Sequence, residues 1–341
     1  MAPRTDFPPV RACIFDMDGL LLNTEDLYTH CTNLILATHG RPELPWSIKA
    51  RLQGRPGPAS AAIFHEWAQL PITPADFPPV RACIFDMDGL LLNTEDLYTH
   101  CTNLILATHG RPQLPWSIKA RLQGRPGPAS AAIFHEWAQL PITPAEYLAA
   151  NTALQQQHFP STPPLPGVPA LLRTLEAAPR LHTALATSSH TANFDLKTSH
   201  LQPLFAGFAP HRRVLGDDPR IAPGRGKPHP DIFLLALATI NASLPAGEAP
   251  VTPDECLVFE DSVPGVEAGR RAGMRVIWCP HPMLKKEYAG REPEVLAGRT
   301  GEAGDVDMHQ VGELDDGWAE YLETLEGFPY AKYGIEVAKS D

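Results

Sequence analysis

Apolar residues along this chain fall into two patterns. Short apolar-rich runs at 80–85, 182–186, 214–215, 256–259 and 276–279 stop abruptly at an acid, a hydroxyl, a glycine or a proline. Runs of that length, rich in Val, Ile, Leu and Phe, read as strands buried on both faces. Between them, apolar positions recur at helical spacing over 93–110, 129–140, 146–158, 168–177, 193–201 and 231–240, and from Pro264 to a stop at Gly273. Asn93 is placed to cap the first of these helices, with Asp96 at its third position. Pro112, Pro115 and Trp116 begin a further element, and 124–128 reads as a turn. The tail from Gly290 is polar and loop-rich, with one helix expected near 318–325. Alternating strands and helices predict an α/β fold with a doubly wound parallel sheet. Residues 93–161 break that alternation with helices alone, which predicts a helical domain inserted after the first strand. The four prolines in 159–167 suit a hinge or linker.

The chain also repeats itself. Residues 6–75 recur as 76–145 with one difference, Glu43 against Gln113. Repeat architectures stack about three or more diverged, closed units; here two near-identical units each stop partway through a fold. A recent duplication or a mis-joined gene accounts for this better than a solenoid. The expected organisation is a partial, non-catalytic copy over 1–75, an α/β core from 76–92 and 162–341, and a helical domain over 93–161. Using the first copy in the sheet instead would loop out the second, at a closure cost of about 3–4 kcal/mol.

Composition narrows the class. At 341 residues and 43% apolar content, two domains or a core with an insertion are expected. A formal charge of -11 argues against nucleic-acid binding, without bearing on a small anionic substrate. The 37 prolines are about twice ordinary usage and suggest stiff loops. Cys13, Cys31, Cys83, Cys101, Cys256 and Cys279 lie in apolar runs without C-x-x-C spacing and read as reduced core thiols. No apolar leader or membrane-length segment stands out, so a cytoplasmic protein is expected, monomeric unless the duplicated segment swaps between molecules.

The strand ends carry the candidate chemistry. Asp86 follows the first strand directly, with Asp88 two residues on and Gly89 behind it. A strand-end carboxylate can act as nucleophile, and a second carboxylate two residues away as general acid and base. Thr187, Ser188 and Ser189 offer hydroxyls and N–H groups to an anion where a helix begins. Lys227, between Gly226 and Pro228, can neutralise a phosphoryl group together with the nucleophile. Glu260 and Asp261 add two acids at a further strand end. With Asp86 and the Asp88 carbonyl they make an oxygen-only set suited to Mg²⁺. Each feature has a commonplace explanation, as a turn, a helix cap or a solvated lysine. Four successive strand ends bearing acid–x–acid, hydroxyl, lysine and acid–acid do not.

In this order, Phe85-Asp86-Met87-Asp88-Gly89, Thr187-Ser188, Lys227-Pro228 and Glu260-Asp261 resemble the four motifs of the haloacid dehalogenase superfamily, in its subgroup with a helical cap. The stretches 185–189, 214–219, 226–228 and 256–261, with Phe328-Pro329-Tyr330, are similar to the eukaryotic pseudouridine 5'-phosphatase group within it. The resemblance covers roughly residues 76–330. It implies Asp86 as the phosphorylated nucleophile, Asp88 as general acid and base, and Thr187 and the Ser188 region as the phosphoryl cradle. Lys227 would stabilise charge, while Asp86, Asp88, Glu260 and Asp261 would hold Mg²⁺. Arg125, beside Gly124 where similar caps present a specificity loop, would contact the organic part of the substrate. Asn93 departs from the Asp common at that place. The implied activity is Mg²⁺-dependent hydrolysis of a small phosphorylated metabolite. A sugar-phosphate mutase, a sugar or polyol phosphatase, and a catalytically impaired duplicate are the competing readings.

Overall fold

Six parallel strands form the sheet in the order β3-β2-β1-β4-β5-β6. They are β1 (Ala82–Phe85), β2 (His182–Ala186), β3 (Arg213–Val214), β4 (Cys256–Glu260), β5 (Arg275–Trp278) and β6 (Ala319–Tyr321). The computed structural model describes residues 23–38, 41–53, 63–64, 67–68, 77–124, 127–301 and 311–337. They fall into two compact units, Met1–Asp76 and Phe77–Asp341.

In the second unit, β1 lies at the centre of the sheet, in register with β2 on one side (Phe85 opposite Leu185) and β4 on the other (Phe85 opposite Phe259). Side chains alternate between faces, as the pleat demands. Ala82 and Ile84 of β1 join Cys256 and Val258 of β4 in one core. Cys83 and Phe85 join Leu257 and Phe259 in the other, where the rings of Phe85 and Phe259 stack 4.4 Å apart. Both faces are covered, which is why the strands read as continuous apolar runs rather than as alternation.

The expected helix near 318–325 is a strand instead. Gly317 takes a left-handed φ of 75°, and Asp316 accepts hydrogen bonds from Glu313 N and Trp318 N, so the chain turns there rather than coiling. Ala319–Tyr321 then pairs with β5 and extends the sheet by one strand, an outcome that three residues of sequence cannot signal.

Among the described residues, the first unit includes the helices α1 (Thr24–Thr38) and α2 (Trp46–Leu52). Their counterparts in the second unit are α3 (Thr94–Thr108) and α4 (Trp116–Leu122), followed by α5 (Gly127–Ala138) and α6 (Pro144–His158). α3 packs along α6 and α4 along α5, around Leu106, Leu114, Phe134 and Ala138. Asn93 stands at the head of α3 as expected, but its side chain makes no capping bond; the Thr94 hydroxyl instead accepts from Gly89 N. The two connections between the insertion and the sheet run side by side, Asn93 N donating to Pro163 O and Leu165 N to Leu91 O.

The remaining labelled helices are α7 (Val168–Glu176), α8 (Thr191–Thr198), α9 (Asp231–Asn241) and α10 (Val263–Arg271). The five described cysteines are free. Cys83, Cys101 and Cys256 are buried and Cys279 partly so, but Cys31 is exposed, contrary to the reading of all six as core thiols. Cys13 lies outside the described residues. Among these, no helix is long and apolar enough to cross a membrane.

Candidate active site

The strand order reverses at β1, which has β2 on one side and β4 on the other, and ligands of open α/β sheets lie beyond the strand ends at such a point. Asp86 N still donates to Phe259 O, so the sheet holds the backbone of Asp86 rigidly while its side chain projects past the sheet edge. Gly89 lets the chain turn back: its φ is 79°, and a Cβ there would stand 2.2 Å from Asp261 Oδ2. From the end of β4, Glu260 and Asp261 arrive beside Asp86, and one carboxylate oxygen of each of the three lies within 4.8 Å of the others. All three are buried.

Lys227 reaches this cluster from the loop before α9, through a cis bond to Pro228. Its ammonium donates to Asp86 Oδ1 at 2.5 Å, Glu260 Oε1 at 2.5 Å and the Ala186 carbonyl at 3.1 Å. Glu260 Oε2 accepts from Asp261 N and from Ser262 N and Oγ. Glu260 therefore aims the lysine and stiffens the turn into α10, besides lending charge. The Thr187 hydroxyl, just past β2, accepts from Ser189 N at 3.1 Å. Ser188 Oγ donates to the Gly124 carbonyl of the insertion at 3.4 Å. α8 begins only at Thr191, so Ser188 precedes the helix rather than opening it.

Asp88 has different company. Its Oδ1 accepts from Lys197 Nζ at 2.6 Å and its Oδ2 from Ser189 Oγ at 2.5 Å. The two aspartates, two residues apart, are pushed in opposite directions. Burial raises Asp86 to about 7, against the pull of Lys227 and with a push from Glu260 and Asp88. Asp88 is held below its usual value because Lys197, Ser189 and Thr94 outweigh its burial. Asp261 is raised well above the carboxylate range by burial, then by the charges of Glu260, Asp86 and Glu95.

These residues fit a divalent cation. Three buried carboxylates (Asp86, Glu260, Asp261) and the partly buried Asp88 face two ammonium groups (Lys227, Lys197), and the upward push on Asp86 and Asp261 registers a crowding of acids that a cation would relieve. Crowded buried carboxylates are costly without compensation, and an all-oxygen set is the kind that Mg²⁺ takes. The side chain of Asp88 stands outside the three-carboxylate cluster.

The structure thus brings together Asp86, Asp88, Thr187, Ser188, Lys227, Glu260 and Asp261. Arg125 lies outside the described residues, as do Asp16 and Asp18 of the first copy. Sequence reasoning missed Lys197 and Gln123. Gln123, just past α4, is buried, donates to Asp261 Oδ2 at 3.1 Å and leaves its Oε1 without a partner. A signal existed for Lys197: Phe194, Lys197 and Thr198 share the buried face of α8, with the lysine where the spacing calls for an apolar residue. Gln123 gave none.

The model of the haloacid dehalogenase-like hydrolases matches residues 80–273. A probable pseudouridine-5'-phosphatase of Saccharomyces cerevisiae is 43% identical over 256 residues, covering 75% of this chain and 98% of its own. A probable pseudouridine-5'-phosphatase of Drosophila melanogaster is 38% identical over 218 residues, covering 64% and 89%. The mitochondrial (DL)-glycerol-3-phosphatase 1 of Arabidopsis thaliana is 36% identical over 232 residues, covering 67% and 74%.

Proposed function

Since the chain belongs to the haloacid dehalogenase-like hydrolases and is a hydrolase of phosphate monoesters, we propose that it works with Mg²⁺ through an aspartyl-phosphate on Asp86. The observation that carries this reading is the division of labour between the two aspartates. Asp86 is paired with Lys227 in the three-carboxylate cluster, while Asp88 stands apart from that cluster, paired with Lys197 and partly exposed.

Asp86 attacks the phosphorus, and the bond to the ester oxygen breaks. Asp88, a carboxylate in this structure, first takes up a proton from solvent, gives it to that oxygen as it leaves, then takes a proton from the water that hydrolyses the acyl phosphate. Thr187 and the N–H groups around Ser188 hold the phosphoryl oxygens. Lys227 offsets the charge that builds on phosphoryl group and nucleophile together. Asp86, Glu260 and Asp261, with the Asp88 carbonyl, would hold Mg²⁺, which when bound neutralises phosphoryl charge. The helical insertion acts as a cap, its Gly124 carbonyl meeting Ser188 over the site so that water is excluded while the ester bond breaks. Arg125, next in sequence, is the proposed contact to the organic part of the substrate.

The substrate is a small phosphorylated metabolite, with pseudouridine 5'-phosphate first because two relatives carry that activity in their names. The Arabidopsis relative favours a polyol phosphate as the second reading. A panel of nucleotide, sugar and polyol monophosphates, assayed with Mg²⁺ and with chelator, ranks them. Asp86→Asn is expected to cut turnover of the best substrate at least about 100-fold. Undiminished turnover in that variant, or full activity in chelator, would overturn the reading.

A further inference from the structure

Lys197 is a fully buried cation with all three ammonium protons committed. Besides Asp88 Oδ1, it donates to Tyr98 OH at 2.7 Å and Ser189 Oγ at 2.8 Å. Ser189 closes the ring by donating to the other oxygen of Asp88. Both oxygens of that carboxylate are therefore held from behind, which removes the rotation a short acidic side chain would otherwise keep. The lysine side chain is wholly shielded from solvent, whereas 16% of the Asp88 side chain is open. Lys197 thus holds Asp88 from the fully buried side of the pair, while the aspartate keeps the only solvent-exposed surface of the two.

The second half of the cradle comes from the insertion. Tyr98 lies in α3, and Phe159 directly follows α6. Their rings meet edge to face at 4.9 Å and both present faces to the lysine, its ammonium 4.7 Å from the Tyr98 centroid and 5.1 Å from that of Phe159. α8, which carries Lys197, belongs to the sheet part. A buried ammonium is tolerable only while such partners surround it. Withdrawing α3 would remove one of its three acceptors and one of its two rings.

Resting on the phosphatase reading above, we propose that Lys197 is the positioning residue of the general acid and base. It fixes the Asp88 carboxylate at the angle the leaving oxygen needs, and Tyr98 makes that grip complete only when the helical insertion is docked. The seating of the insertion and the aim of the proton donor are then a single event. Lys227 and Lys197 divide the work, the first serving the nucleophile and the second the acid, and among the described residues neither lysine hydrogen-bonds the other's aspartate.

A purely structural lysine and a positioning lysine differ in leaving-group dependence. Proton donation matters most for a poor leaving group such as an alkoxide and least for p-nitrophenolate. The test uses the full chain with Asp16→Asn throughout, so that the first copy cannot contribute, and compares kcat/KM for an alkyl monophosphate and for p-nitrophenyl phosphate. Lys197→Met is expected to lower the alkyl value about 100-fold and the aryl value less than about 5-fold, in line with a misplaced catalytic group. In an Asp88→Asn background the same change is expected to have no further effect, because the group it serves is gone. Tyr98→Phe, which keeps the ring and loses the hydroxyl, is expected to show the same selectivity at about 10-fold. Equal losses on both substrates, or full additivity with Asp88→Asn, would overturn the proposal. Should Lys197→Met fail to fold, Lys197→Arg and Tyr98→Phe carry the same comparison. Asp86→Asn is run alongside. If it stays active, the phosphatase reading itself has failed. If it is inactive while the lysine variants show no selectivity, only the positioning role has.

Discussion

At the residue scale the site depends on a glycine as much as on its acids. Gly89 combines a left-handed φ with a Cβ position 2.2 Å from Asp261 Oδ2 and 2.8 Å from Glu95 Cγ. Gly89→Ala therefore meets two penalties. The φ alone costs about 1–2 kcal/mol, and the clash displaces Asp261, one of three carboxylates proposed to hold the cation. The expected result is a lower Tm together with a raised Mg²⁺ requirement, read by thermal unfolding and by a Mg²⁺ titration of turnover. A loss of stability with an unchanged titration would separate the glycine from the metal site. The acids and hydroxyls were legible in the sequence because each stands at the end of an apolar run, where strand and position are read together, and Lys227 because it is fixed between Gly226 and Pro228. Lys197 went unread because its partners Tyr98 and Asp88 lie 99 and 109 residues away, and a lysine in a helix is ordinarily solvated.

At the scale of elements, α6 shows a local signal and its folded outcome in agreement. Thr143 accepts from Glu146 N while Glu146 accepts from Thr143 N, a reciprocal cap on a helix with Pro144 at its first position. Thr143→Ala is expected to cost about 1 kcal/mol with little effect on kcat, measured by thermal unfolding and by assay. The bonds from Thr143 hold Glu146 below its usual pKa. That contribution is present above the unfolded value and is lost as pH falls through the depressed folded value. The Tm gap between wild type and Glu146→Gln should therefore close in acid and be full near neutrality. β6 shows the opposite case. Its three residues follow from pairing with β5 and from the Asp316 turn before it, neither of which leaves a period in the sequence. The first-copy helices add a control that nature supplies. α1 and α3 are identical in sequence, as are α2 and α4. Both copies keep the bond from a leucine N to an asparagine side chain, Leu44 to Asn33 and Leu114 to Asn103, at 2.8 Å. Yet Leu27, Tyr28 and Trp46 are exposed where Leu97, Tyr98 and Trp116 are partly buried. Local sequence sets the helices, and the rest of the second unit decides whether their apolar faces are covered.

At the scale of the whole molecule, the open matter is two identical strand-and-acid stretches for one sheet. The second supplies β1, and the boundary between the compact units falls at residue 76. The preference has a physical size. Seating the first copy in the sheet would keep every local contact the same but loop out about 70 residues, at about 3–4 kcal/mol. That corresponds to a population of roughly 0.1–1% for the exchanged arrangement. Asp86→Ala should accordingly fall to about that fraction of wild-type kcat/KM rather than to zero, because Asp16 can enter the site in the exchanged minority. Asp16→Ala alone is expected to leave activity unchanged, and the double variant to remove the residue of activity left by Asp86→Ala. A chain starting at Phe77 and carrying Asp86→Ala should be equally inactive, since it has no second copy to exchange. Titrating these four proteins with the preferred substrate at high enzyme concentration measures the closure cost directly. An Asp16→Ala variant with impaired turnover would show that the first copy does more than wait outside the fold.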